Sequence, residues 1–252
     1  MGEALQRPSM YNSNLRMLFM GKTAVVTGGN KGIGLHVTRM LLEAGCDVCV
    51  VARDFSSFPL GLEKKVRMVP FDLSEVEKIP TLVQEIGDVD ILVNNAGVMF
   101  ATPYGQYTQE RAEAMLRINL KAPVALITAV SSSMITKGGG RIVNNASLAG
   151  QTGHPDIWYG IAKAGLINAT KSFARILGGK GIVVNAVAPG PAETDMLDLI
   201  QEARKEGVLR SVYSGRFARA DEVARTIVWL ATESPEYING TCIDINNGSF
   251  PR

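Results

Sequence analysis

Tyr159 and Lys163 stand one helical turn apart in Tyr-Gly-Ile-Ala-Lys, and Ser147 closes the run Arg-Ile-Val-Asn-Asn-Ala-Ser upstream. A spacing of four puts the phenol and the ammonium on one helix face. A phenol titrating near 10 becomes a useful acid and base at neutral pH only if its anion gains roughly 3 to 4 kcal/mol, a downward shift of about 2 to 3 units. Lys163 is placed to supply part of that, so the pair predicts a proton-transfer site with a lowered phenol pKa. Taken singly, each residue also has an ordinary reading: Ser147 as a turn residue, Tyr159 as a surface aromatic, Lys163 as a solvated helix cation. His154 is a tempting general base, but its place suits shaping a substrate pocket or starting the helix.

Such groups need a scaffold. Short β-branched runs at Thr23–Thr27, Asp47–Ala52, Val66–Pro70, Val89–Val93, Arg141–Ala146, Gly181–Ala186 and Thr241–Ile245 read as strands. Between them, Ile33, Val37, Met40, Leu41 and Ala44 follow the 3.6-residue period, as do segments 108–132, 158–177 and 220–232. This alternation predicts an α/β fold: a seven-stranded parallel sheet with helices on both faces, because each right-handed crossover needs a helix to return the chain. Residues 55–65 carry Ser56, Ser57, Pro59 and Gly61, so the second crossover is expected to be a loop or a single turn. Pro123 has no N–H with which to bond the carbonyl of Asn119, which predicts a free carbonyl or a kink there.

The first strand runs into Thr27-Gly28-Gly29-Asn30-Lys31-Gly32-Ile33-Gly34 and then a helix. Glycines suit a turn whose bare backbone a pyrophosphate can approach, with helix-start N–H groups facing the anion. Where an NAD site would present a carboxylate at the end of the second strand, this chain has Ala52-Arg53, with Asp54 next. Arg53 and Lys31 together would clamp a 2′-phosphate, which predicts NADP(H).

A chain of 252 residues, 46% hydrophobic and without a linker-like break, is expected to form one domain over residues 21–252, preceded by a loosely ordered arm at 1–20. Met17 and Met20 leave a later start site open. A net charge of +2 with no basic stripe argues for small-molecule partners over nucleic acid. Three cysteines cannot pair completely, which points to a reducing, cytoplasmic setting; Cys46-Asp-Val-Cys49 has redox spacing but no active-site turn. Individual apolar runs fall short of the ~20 residues that span a bilayer, so no membrane segment is expected.

From about residue 20 onward the chain resembles the short-chain dehydrogenase/reductase family, whose fold is a Rossmann-type doubly wound sheet. The glycine turn is similar to the family's T-G-x-x-x-G-x-G, Phe71-Asp72-Leu73 to its adenine-flanking segment, and Asn94-Asn95-Ala96-Gly97 to its N-N-A-G strand end. Asn119, Ser147, Tyr159 and Lys163 match its catalytic tetrad; Pro189, Gly190 and Thr194 match the residues that hold the nicotinamide portion. The resemblance implies that Tyr159 exchanges a proton with the substrate oxygen and Ser147 hydrogen-bonds that oxygen. Lys163 would lower the phenol pKa and grip the nicotinamide ribose, and the Asn119 carbonyl would hold a relay water. Gly28, Asn30, Lys31, Gly32, Ile33, Gly34, Arg53, Asp72, Leu73, Asn95, Ala96 and Gly97 complete the implied cofactor site.

Within the family the likeness is nearest to 3-oxoacyl-acyl-carrier-protein reductases, which implies an acyl thioester substrate and acyl carrier protein as a partner. Lys180 matches one of their basic docking positions, Gly138 falls at the other, and Lys137 is a candidate substitute. Asn247 replaces a usual glycine. Reduction of a free small ketone, or the reverse oxidation of a sugar or steroid-like alcohol, therefore stays open, as does a non-catalytic dinucleotide sensor. Segment 191–214 mixes Met196, Leu197, Leu199 and Ile200 with Glu202, Arg204 and Lys205, the pattern of a helical lid over substrate. His154 and Met196 are the expected substrate contacts. The resemblance also implies a homotetramer or homodimer paired through segments 108–132 and 158–177.

Overall fold

Seven strands and seven helices carry the chain in a computed structural model that describes residues 17–252. The strands are β1 (Thr23–Thr27), β2 (Asp47–Ala52), β3 (Val66–Pro70), β4 (Ile91–Asn94), β5 (Gly140–Asn145), β6 (Ile182–Pro189) and β7 (Cys242–Ile245). All pair in parallel, in the order β3-β2-β1-β4-β5-β6-β7. The order reverses between β1 and β4, which leaves a crevice beyond the carboxyl ends of those strands, where this class of sheet takes ligands. The fold class is therefore the one expected, and β1 to β3 have the expected bounds.

Strand alternation divides the interior into two layers. Ala24 and Val26 of β1, Val48 and Val50 of β2 and Val93 of β4 pack against α1 (Gly32–Glu43) and α7 (Ala220–Thr232). Val25, Cys49, Val51 and Leu92 face the other way, toward α2 (Ile79–Ile86), α4 (Ala122–Thr136) and α5 (Ile157–Leu177). Cys46 and Cys49 thus lie in opposite layers, both buried, and burial pushes their thiols up to about 12 and about 11. They form no redox pair.

The β2–β3 crossover holds only turns, filled by Phe55 and Phe58 edge to face at 5.9 Å. The expected helix over 108–132 is interrupted: α3 (Gln109–Leu116) passes through a π turn at Arg117–Lys121 before α4 begins. The Ala122 N–H bonds the Arg117 carbonyl, one residue beyond the α register, directly ahead of the proline that cannot donate to residue 119. By length and composition, Gln109–Thr136 could cross a membrane, with a mean hydropathy of 1.4 over its most apolar stretch, a property the separate apolar runs concealed. Here Leu126, Ile127, Val130 and Met134 are buried against the sheet.

Residues 1–16 of the expected arm lie outside the described residues. Residues 17–19 form a helical turn, and Phe19 packs on the α1/α7 layer while Met17, Leu18 and Met20 are exposed.

Candidate active site

The carboxyl ends of the strands enclose a cavity of about 910 Å³ that runs from Arg53 at one end to Arg204 at the other. At its centre lies the glycine turn. Gly28 has φ +63°, and a side chain on Gly34 would meet the Gly28 carbonyl oxygen at 2.1 Å, so this position tolerates only glycine. Lys31 is the N-cap of α1 without a side-chain cap, and the first turn carries no acid. Those N–H groups and the positive end of the helix are therefore unspent, the donor set an anionic pyrophosphate requires.

The polar residues after β4 and β5 build the floor. Asn95 Nδ2 donates to the carbonyls of Thr27 (3.1 Å) and Gly28 (3.2 Å), and its Oδ1 accepts from Asn145 Nδ2 at 3.0 Å. The Thr27 hydroxyl takes the N–H groups of Asn95 and Ala96. Asn95, expected to touch cofactor, lines the cavity while its side chain ties the glycine turn to β5. Gly97 permits the close approach of Asn119 Oδ1 and Lys163 Nζ, which would lie 3.0 and 3.5 Å from a side chain there.

At the adenosine end, Arg53 lines the cavity and no carboxylate pairs with it among the described residues. Asp54, next to it, is already engaged: its oxygens accept the Ser56 N–H (2.8 Å) and hydroxyl (2.7 Å), and the Ser56 hydroxyl lowers its pKa. Asp72 accepts the Ser74 N–H at 2.8 Å, which lowers it likewise, and Leu73 lines the cavity beside it. Arg53 and Lys31, the expected 2′-phosphate clamp, both line the cavity. Lys31 Nζ reaches across the cleft to Asp195 at 2.7 Å, and this exposed pair bridges the glycine turn to the segment after Thr194. Asn30 also lines the cavity, its Nδ2 donating to the Asp54 carbonyl at 2.8 Å. Pro189, Gly190 and Thr194 form the facing wall; the Thr194 methyl lies 3.3 Å from where a Gly32 side chain would start, and the Gly190 N–H bonds Ile245 O.

At the far end stand the reactive groups. Asp156 caps α5, its Oδ1 accepting the Tyr159 N–H at 3.3 Å, and this fixes Tyr159 and Lys163 on the cavity side. Ser147 opens a short turn, its hydroxyl accepting the Ala149 N–H at 3.1 Å. Lys163 is buried, 5.7 Å from the centre of the Tyr159 ring, and donates to the Asn145 carbonyl at 2.7 Å; burial lowers it to about 8. Tyr159 departs from expectation: burial raises its pKa, the Ser147 hydroxyl pulls it back, and the Asp156 charge adds to the rise. Lys163, expected to lower the phenol, directs its ammonium to the Asn145 carbonyl and does not offset that burial. His154 lies against Tyr159, ring centres 5.3 Å apart, and Met196 Sδ accepts from the phenol at 3.9 Å, so both expected substrate contacts adjoin the phenol.

Asn119 is fully buried, and its amide clamps the Val98 backbone, accepting from N–H at 2.8 Å and donating to the carbonyl at 2.7 Å. Only its main-chain carbonyl remains for a relay. Segment 191–214 runs along the cavity as a 3-10 turn at Leu197–Leu199 and α6 (Glu202–Ser211). Phe100, Val208 and Phe250 also line the cavity; Phe250 is brought there by the folding back of the last residues, which no local pattern signals.

The carrier-docking positions lie elsewhere. Lys137 pairs with Asp90 at 2.8 Å, and Asp90 also takes the Thr23 N–H, at the amino ends of β1 and β4. Gly138 and Lys180 precede β5 and β6. In this chain all three are at the opposite end of the sheet from the cavity.

The sequence profile of the family described as enoyl-(acyl carrier protein) reductase matches residues 28–249. A 3-oxoacyl-[acyl-carrier-protein] reductase, FabG, of Haemophilus influenzae is 34% identical over 238 residues, covering 91% of this chain and 98% of the relative. FabG of Escherichia coli is 35% identical over 242 residues, covering 93% and 99%. Among solved structures, a putative NAD(P)-dependent gluconate 5-dehydrogenase from Beutenbergia cavernae with bound NADP superposes with a TM-score of 0.86 at 27% identity, covering 91% of this chain and 97% of that one. A putative 2-deoxy-D-gluconate 3-dehydrogenase from Agrobacterium tumefaciens with bound NADP gives 0.86 at 29% identity, covering 92% and 98%.

Proposed function

Because the chain belongs to the short-chain dehydrogenase/reductase family, we propose that this oxidoreductase interconverts a ketone and a secondary alcohol with NADP(H), using Tyr159 as the proton donor and acceptor. The observation that carries the reading is convergence: a phenol, a serine hydroxyl, a buried lysine and an uncapped helix start all open on one cavity. When bound, NADPH supplies hydride, so that ketone, NADPH and a proton give alcohol and NADP⁺. The glycine turn, Thr194 and Pro189-Gly190 would hold it, and Arg53 its 2′-phosphate. The tying-up of Asp54 by Ser56 favours NADP(H) over NAD(H), in keeping with the NADP bound in the two structural neighbours.

Tyr159 gives its proton to the carbonyl oxygen as the oxygen gains charge, and the Ser147 hydroxyl donates a hydrogen bond to that oxygen. A phenol raised by burial is protonated at neutral pH, which suits reduction. Lys163, fixed by the Asn145 carbonyl, orients the cofactor ribose and completes the proton path toward the Asn119 carbonyl.

The FabG relatives and the apolar walls at Phe100, Leu199 and Ile200 favour a 3-oxoacyl substrate. The displacement of Lys137 and Lys180 from the cavity mouth makes carrier-protein docking within one chain the weaker part of that likeness. Exposed Ile161 and Ile176 on α5 support pairing of chains through that helix, which the mass in solution checks. NADPH consumption with acetoacetyl thioesters and simple ketones tests the catalytic reading: turnover is expected, and tight NADPH binding with no turnover of any member would favour a dinucleotide sensor.

A further inference from the structure

The substrate end of the cavity holds a cation that the reaction does not use. Arg204, on α6, is half-buried, lines the cavity, and spends one donor: its Nη2 lies 2.7 Å from His154 Nε2. Among the described residues its guanidinium makes no other hydrogen bond and no ion pair. His154 Nδ1 faces both the Asp156 carbonyl at 3.1 Å and the Asp156 N–H at 3.2 Å; because arginine is an obligate donor, Nε2 must accept, so a neutral imidazole carries its proton on Nδ1 and the carbonyl is the partner that receives it. Burial, with the Arg204 charge adding to it, keeps His154 below its usual pKa, in agreement with that form. Asp156, buried beneath, attracts the guanidinium but is not within ion-pair distance of it. His154 is itself packed on the Tyr159 ring.

The result is a guanidinium held one imidazole away from the proposed proton donor, with most of its fork unspent, in a cavity that Leu199, Ile200 and Val208 also line. A half-buried fork of this kind loses water without gaining a partner unless the ligand supplies one, and a planar carboxylate fits it with two parallel hydrogen bonds. We infer that the substrate is a short oxo acid whose carboxylate is bound by Arg204, with His154 as the residue that aims it, a few bonds from the carbonyl facing Tyr159. The inference rests on the ketone-reductase reading above and, within it, puts a free oxo acid in place of the 3-oxoacyl thioester. It assigns Arg204 to substrate selection and leaves the chemistry of reduction with Tyr159.

Matched pairs separate the two claims. NADPH oxidation is followed with acetoacetate against methyl acetoacetate, and levulinate against methyl levulinate, with an acetoacetyl thioester as a further ketone. The acid is expected to exceed its ester in kcat/KM by tenfold or more in one pair. Arg204→Gln should bring that ratio near unity, mainly by raising KM for the acid, and Arg204→Lys should restore part of it. NADPH affinity, read by fluorescence, verifies that each variant is folded; the wild-type ratio stands without them. Equal use of acid and ester by the wild type, or a ratio unmoved by Arg204→Gln, overturns the carboxylate assignment and leaves the reductase reading intact. Binding of NADPH with turnover of no member, thioester included, overturns both.

Discussion

Arg53→Ala should weaken NADPH binding by about 10- to 30-fold and leave NADH within about twofold. Arg53 is the unpaired cation at the adenosine end, and hydrogen bonds from a charged donor to a phosphate contribute about 1.5 to 3 kcal/mol. Because Arg53 is exposed, the lower part of that range applies, about 1.5 to 2 kcal/mol, and 1.4 kcal/mol corresponds to a factor of ten. Lys31 limits the loss. Its bond to Asp195 joins side chains that are 64% and 78% exposed, and such pairs are worth at most about 1 kcal/mol, so Lys31 can leave Asp195 for a phosphate. Removing both cations should therefore cost more than the Arg53 change alone. NADH carries no 2′-phosphate for Arg53 to hold, so its affinity should hardly change. Fluorescence titration with both nucleotides reads the difference. A parallel loss for NADPH and NADH, or no loss for either, would refute a 2′-phosphate site at Arg53.

Asn119→Leu removes both partners of the Val98 backbone groups, at about 1 to 3 kcal/mol each. With Val98 half-buried, urea unfolding should show a loss of about 2 to 4 kcal/mol, and a loss under about 1 would contradict the clamp. Lys163 is lowered to about 8 in the fold from an ordinary 10.5, so between those values the unfolded chain binds more protons and this group adds stability as pH rises. Lys163→Met should flatten stability between pH 8 and 10 relative to wild type; parallel profiles would show that the fold does not lower the lysine pKa. With thiols raised to about 12, 11 and 11, Cys46, Cys49 and Cys242 should resist a thiol reagent in the native state and all react on unfolding. Rapid native labelling of Cys46 or Cys49 would count against their burial.

The strands were legible because parallel strands buried on both faces must be apolar and β-branched throughout, as Ala-Val-Val in β1 and Val-Cys-Val-Val in β2 are. The glycine turn was legible for a steric reason, the contact that a side chain on Gly34 would make. What stayed hidden depends on partners far apart in the chain. The Lys31 bond to Asp195 joins residues 164 positions apart, which no local pattern signals. Arg204 was read as lid polarity, and its meaning comes from His154, 50 residues earlier. α2 was not singled out, being a short helix of eight residues. The π turn follows from Pro123, but sequence could offer only a free carbonyl or a kink, since a shift of one residue in hydrogen-bond register leaves the apolar pattern nearly unchanged. The raised phenol pKa stayed hidden because helix spacing places Lys163 beside Tyr159 without showing that the phenol is buried or that the ammonium turns to the Asn145 carbonyl.

The convergence of the Tyr159 phenol, the Lys163 ammonium and a dinucleotide on one carbonyl is tested most directly with NADPH carrying deuterium at the transferable position. Wild-type protein should place that deuterium on the carbinol carbon of the product alcohol, as read by mass spectrometry. Tyr159→Phe should slow the transfer by about 10²- to 10⁴-fold, the usual contribution of a positioned acid, without change in NADPH affinity. Label released to water, or full activity in Tyr159→Phe, would contradict the account.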